Sequence, residues 1–141
     1  MVYLLNAGIN GVKGDVDDEL IDSVITSGGG GYLVDSLYPG DYYIKLNSGI
    51  PSGMISSTAK TNSTLNTEPA PDPDSNDLDN DDNGTQMGAM IMSELVSLTL
   101  TDEPVNDGDV DSTTNLAVDF GLYTPLAVSY THLTLPTKRI V

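Results

Sequence analysis

Cysteine and tryptophan are absent from the 141 residues, and there is one phenylalanine and one histidine. Without cysteine there is neither a disulfide framework nor a thiolate metal site. A single imidazole, His132, leaves zinc poorly served and gives no Ser–His or Cys–His pair for nucleophilic catalysis. Basic residues are scarce as well. Five lysines and arginines face 21 aspartates and glutamates, for a net charge of −16, which repels nucleic acid and anionic membrane surfaces. No apolar run approaches the roughly 18 residues of a membrane span, so no membrane insertion is expected. The first residues, "MVYLLN", carry no basic stretch or cleavage pattern of a signal peptide.

What is abundant is Asp, Gly, Ser, Thr and Asn, a composition that disfavours helices and suits short strands joined by turns. "VYLLN" (2–6) and "LIDSVIT" (20–26) read as strands, separated by the Gly/Asn/Asp turn region "AGINGVKGDVDDE". Four glycines, Gly28 to Gly31, predict a hairpin-like connection into "YLVDSL". In "YPGD", Pro39 and Gly40 have the chemistry of a type II turn. In "YYIKL", Tyr42, Ile44 and Leu46 alternate with Tyr43 and Lys45, the pattern of a half-buried strand. "GMISST" adds a short strand. "MGAMIMSELVSLTL" is ambiguous in its first half, but its alternating "LVSLTL" argues strand. "LAVDFGLY" places Leu116, Val118, Phe120 and Leu122 on one face. Six or seven strands without an amphipathic helix predict an all-β, antiparallel β-sandwich. Tyr42, Ile44, Phe120 and Leu122 are the core candidates.

The chemistry lies in two acidic segments. "DPDSNDLDNDDNG" (72–84) holds six aspartates, and "TDEPVNDGDVDSTTN" (101–115) holds five carboxylates. Charge runs of this kind suit a solvated linker equally well. The spacing is more specific: Asp79, Asp81 and Asn83 stand at i, i+2, i+4 with Gly84 following, as in the first half of an EF-hand loop. The second half fails, because Met90 occupies the place of the bidentate glutamate and prolines 69, 71 and 73 preclude a preceding helix. Further oxygen ligands for a hard cation, Ca²⁺ ahead of Mg²⁺, would come from Asp72, Asp74, Asp77, Glu94, Asp107, Asp109 or Asp111.

The order of segments resembles a known family. "GGGYLVDSLYPGDYYIKL", the Asp-rich loop, "SELVSLTL…EPVNDGDVD" and "NLAVDFGLY" are similar to the serine-aspartate repeat B-like domains of bacterial surface proteins, over residues 2–124. The resemblance implies an Ig-like, prealbumin-type sandwich occupying 1–125 and lacking the family's first strand. It also implies calcium ligation by Asp79, Asp81, Asn83, Asp74, Asp107 and Asp109. The implied setting is an extracellular, secreted or wall-associated adhesin-like protein. Neighbouring tandem domains would be the partners, together with a host or matrix protein or glycan. The expected function is a non-catalytic spacer, and the alternative is a carbohydrate-binding module using Tyr38, Tyr43 and Tyr123. Residues 128–141, "VSYTHLTLPTKRIV", differ in character and resemble one reading frame of a transposon-end sequencing adaptor, so this segment is expected to be an artefactual or unstructured tail.

Overall fold

The computed structural model describes residues 1–57, 82–105, 107 and 109–125. Its elements are strands: β1 (Val2–Asn6), β2 (Glu19–Val24), β3 (Gly40–Leu46), β4 (Ile55–Ser56), β5 (Thr85–Met87), β6 (Met90–Met92), β7 (Val96–Leu98) and β8 (Leu122–Tyr123). Every pairing is antiparallel. The larger sheet runs β2-β1-β3-β6-β5, and β7 also pairs with β3, while β4 and β8 form a separate two-stranded sheet. The protein is all-β, as its composition predicts. Among the described residues no helix is long and apolar enough to cross a membrane.

β1 and β3 occupy the middle of the larger sheet, and their side chains are covered on both faces. Alternation sends Val2, Leu4, Tyr42, Ile44 and Leu46 to one side, where Ile91 completes a buried cluster. The segment 32–37, Ile50, Val118 and Phe120 pack over that cluster, with the Tyr32 and Phe120 rings 6.5 Å apart. Leu5, Ala7, Tyr43 and Met92 form a second cluster on the opposite side. Double coverage explains why "VYLLN" is nearly continuously apolar. It also corrects the half-buried reading of β3, since Tyr43 is only 1% exposed.

β2 is different. Opposite β1 the register jumps between Leu4, which faces Asp22, and Leu5, which faces Leu20. Ile21 is the extra residue of this bulge. Five of the six β2 residues are exposed.

The far edge of β3 is shared by two strands. Lys45 and Leu46 pair with β6, and Gly40 to Tyr42 pair with β7. Between them the chain steps through Ser93, which is fully buried. The Ile44 N–H donates to Ser93 Oγ at 2.9 Å, the Ser93 N–H donates to the Ile44 carbonyl at 3.0 Å, and Ser93 Oγ donates to the Glu94 carbonyl at 2.8 Å. One side chain thus supplies the acceptor that a continuous strand would have offered.

Two turns depart from expectation. Gly40 has no positive φ; it begins β3, and the left-handed residue is Ser36 at φ 60°. The "LYPGDY" stretch works instead as a tyrosine corner. Leu37 packs on the core and the Tyr42 hydroxyl donates to the Tyr38 carbonyl at 2.8 Å, tying the turn to the strand it feeds. Met87 and Met90 close a two-residue hairpin in which Gly88 (φ 63°) takes the left-handed position. Of the core candidates, Tyr42 and Ile44 are buried and Phe120 is partly buried against them, whereas Leu122 is 37% exposed. Leu116 is exposed too, because 116–121 forms no strand and only Leu122–Tyr123 joins a ladder.

Candidate metal centre

Among the described residues, the β1–β2 connection carries a grouping of three carboxylates able to hold a metal ion. Asp15, Asp17 and Asp18 each present an oxygen, and these atoms lie within 4.8 Å of one another. Two ligands of one Ca²⁺ ion at 2.3–2.6 Å lie at most about 5 Å apart, so the three oxygens can share an ion as they stand. The exposed acidic surface here does not by itself demand an ion, but its construction is specific.

Asn10 organises it. Its Nδ2 donates to Asp15 Oδ2 at 2.8 Å and to Asp17 Oδ1 at 2.9 Å, and its Oδ1 accepts the Val12 N–H at 2.7 Å. Asp17 Oδ2 accepts the Ile9 N–H, and the Asp17 N–H donates to Asp15 Oδ1. Gly8 is required for this closure: at φ 66°, a Cβ there would sit 2.5 Å from Asp17 Oδ2. Asp18 anchors the loop to the sheet. Its Oδ2 accepts from Gly14 N (2.6 Å), Asp15 N (3.1 Å) and the Tyr43 hydroxyl (2.6 Å), while Oδ1 is buried with no donor.

The electrostatics follow from these contacts. A hydrogen bond with the Asp17 side chain, and then one from Asn10, lowers the pKa of Asp15 below the ordinary 3.8. Burial, and then the bond to Asp18, raises that of Tyr43 well above 10.0.

The residues expected from spacing are distributed otherwise. Asp74, Asp79 and Asp81 lie outside the described residues. Asn83 is 2% exposed, its Oδ1 accepts the Asp119 N–H at 2.8 Å and its N–H donates to the Asp119 carbonyl. Neighbouring Asp82, 1% exposed, accepts from the Ser56 and Ser57 hydroxyls and the Gly84 N–H. This end of the acidic segment therefore stitches β4, β5 and the 119–121 stretch together. Asp107 is 2% exposed; its Oδ2 accepts the Leu116 N–H and its Oδ1 has no donor. Asp109, half-buried, accepts from Asp111 N and Thr114 Oγ1. Neither joins a group of three carboxylates among the described residues.

Sequence reasoning treated 7–19 as a turn region, yet a signal was available. "GDVD" at 14–17 is the same tetrapeptide as at 108–111 in the second acidic segment. Comparisons with protein-family models, with curated proteins and with solved structures find no match to this chain.

Proposed function

We propose that this chain is a non-catalytic structural module of an extracellular, adhesin-like protein, stiffened by Ca²⁺ held in the β1–β2 loop. The carrying observation is the convergence of Asp15, Asp17 and Asp18 on a loop braced by Asn10, with the donor-free Asp18 Oδ1 at its inner end. Oxygen-only ligands in a flexible loop suit Ca²⁺ better than Zn²⁺, and Mg²⁺ demands stricter octahedral geometry. A net charge of −16 gives any cation a favourable field. The resemblance of "LYPGDY", the Asp-rich segment and "VDFGLY" to serine-aspartate repeat B-like domains supports the same reading. In it, tandem neighbours are the partners, and Asp74, Asp79, Asp81, Asp107 and Asp109 belong to further calcium loops, while Asn83 braces the Asp119 backbone.

At millimolar Ca²⁺, a site with a dissociation constant of about 10⁻⁴ M would add about 1.4 kcal/mol of stability, a rise in melting temperature on the order of 5 °C. Thermal unfolding with Ca²⁺ and with EDTA reads this directly. Asp15→Asn and Asp18→Asn together should remove most of the shift that the β1–β2 loop contributes. No shift in the native chain, or one equally large in the double variant, would reject the loop as the site. The alternative of a carbohydrate-binding module retains Tyr38 and Tyr123 as stacking surfaces, but no longer Tyr43.

A further inference from the structure

Three of the five methionines, Met87, Met90 and Met92, fall within six residues. The β5–β6 hairpin puts them on one face. Met87 pairs directly with Met90 across the turn, and Met92 follows Met90 at the strand period of two. Paired positions bring Cβ atoms to about 5 Å, and the unbranched thioether arms reach further still. All three line one open cavity of about 390 Å³, backed by Leu5 and Tyr43. Met92 is buried at 6% exposure, whereas Met90 is 37% and Met87 51% exposed, so the three side chains span the cavity from its buried to its open side.

Met92 belongs to the second buried cluster, but packing does not call for methionine at the exposed positions 87 and 90. The hairpin is anchored from its other face by Ile91, fully buried in the main core. Strand positions favour β-branched and aromatic residues, and methionine is a loosely specifying filler. The thioether is also the one soft donor class in a chain without cysteine. Soft thioether ligands select Cu(I), while divalent hard ions seek oxygen. Local charge permits a monovalent cation: Lys13 is neutralised by Glu94 at 2.7 Å, and Asp15 and Asp18 line the same cavity together with Lys45. We infer that the Met87/Met90/Met92 face is a binding site for a soft monovalent cation, Cu(I), held by the three thioether sulfurs. Binding forms sulfur–copper dative bonds in place of the ion's previous ligands, with no electron transferred. It uses different donors from the carboxylate loop and does not depend on the calcium reading.

The test is a titration of the full chain with Ag⁺, a redox-inert stand-in, in thiol- and chloride-free buffer, and with Cu⁺ under ascorbate against a coloured Cu⁺ chelator. Leucine preserves the side-chain volume and removes the sulfur. The native chain should bind one ion. Met90→Leu should weaken binding at least tenfold, about the scale that even outer-sphere changes at metal sites reach, and the triple leucine variant should abolish it. In the native chain carrying ¹³C-labelled methionine methyls, Ag⁺ should move the signals of Met87, Met90 and Met92 and leave Met1 and Met54 in place. The Ca²⁺-dependent melting shift should persist in every leucine variant. Absence of binding by the native chain, equal binding by the triple variant, or methyl shifts confined to Met1 and Met54 would overturn the inference.

Discussion

Asp18 and Ser93 each show how much one polar side chain can organise when it is buried beside a backbone that needs it. Asp18 accepts three hydrogen bonds on one oxygen and so joins the β1–β2 loop to Tyr43 of the central strand. Ser93 completes the edge of β3 where two short strands meet it out of line. Replacing Ser93 by alanine would leave the buried Ile44 N–H without its acceptor. A buried donor left unsatisfied costs about 1–3 kcal/mol. Chemical denaturation should register a loss of that size, with the slope against denaturant unchanged. Ser93→Thr, which keeps the hydroxyl, should lose less.

Among the elements, the tyrosine corner shows what a motif can and cannot reveal. "LYPGDY" was legible as a turn entering a strand, and that much holds. Its mechanism was not legible, because the left-handed residue is Ser36 and the constraint comes from the Tyr42 hydroxyl on the Tyr38 carbonyl. Tyr42→Phe keeps the ring in the core and removes that bond, and should cost about 1 kcal/mol in equilibrium unfolding. The alternating stretches 42–46 and 96–98 were readable because side-chain direction in a strand follows sequence parity. The burial of Tyr43 was not, since parity says which face a residue takes and nothing of what covers that face. The site was missed for a related reason. Asp15, Asp17 and Asp18 sit in a stretch whose glycines announce a turn. Their convergence depends on Asn10, whose two donated bonds span five and seven residues. At the other acidic segment, correct ligand spacing coincides with buried, structural roles for Asp82 and Asn83.

For the whole molecule, 21 acidic groups and a few buried tyrosines set the pH range of stability. Asp15 is held below its ordinary 3.8 by Asp17 and Asn10, and Asp111 by its bonds from Thr113. A carboxylate with a lowered folded pKa contributes stability that is complete above the unfolded value and lost as pH falls through the folded one. Acid unfolding should therefore set in below about pH 3.8, and carboxyl-carbon NMR titration should place both midpoints under that value. Tyr32 and Tyr43 show the opposite displacement, raised above 10.0 by burial first, then by the charge of Asp119 and the bond to Asp18 respectively. Their contribution is complete below pH 10 and erodes above it, as ionisation comes to favour the unfolded chain. Phenolate absorbance should show these two tyrosines ionising above pH 10, together with unfolding.

The small β4–β8 sheet has a kinetic consequence. It consists of two residue pairs, Ile55 with Tyr123 and Ser56 with Leu122, drawn from distant parts of the chain. Closing so long a loop carries an entropy cost that two pairs repay only after the β1–β3 core exists to seat Val118 and Phe120. This ladder is expected to form after the central sheet and to release before it. Partial opening at β8, against the Ser57–Gly121 and Asn83–Asp119 bonds that also hold this stretch, would then govern how soon Phe120 meets solvent or a protease.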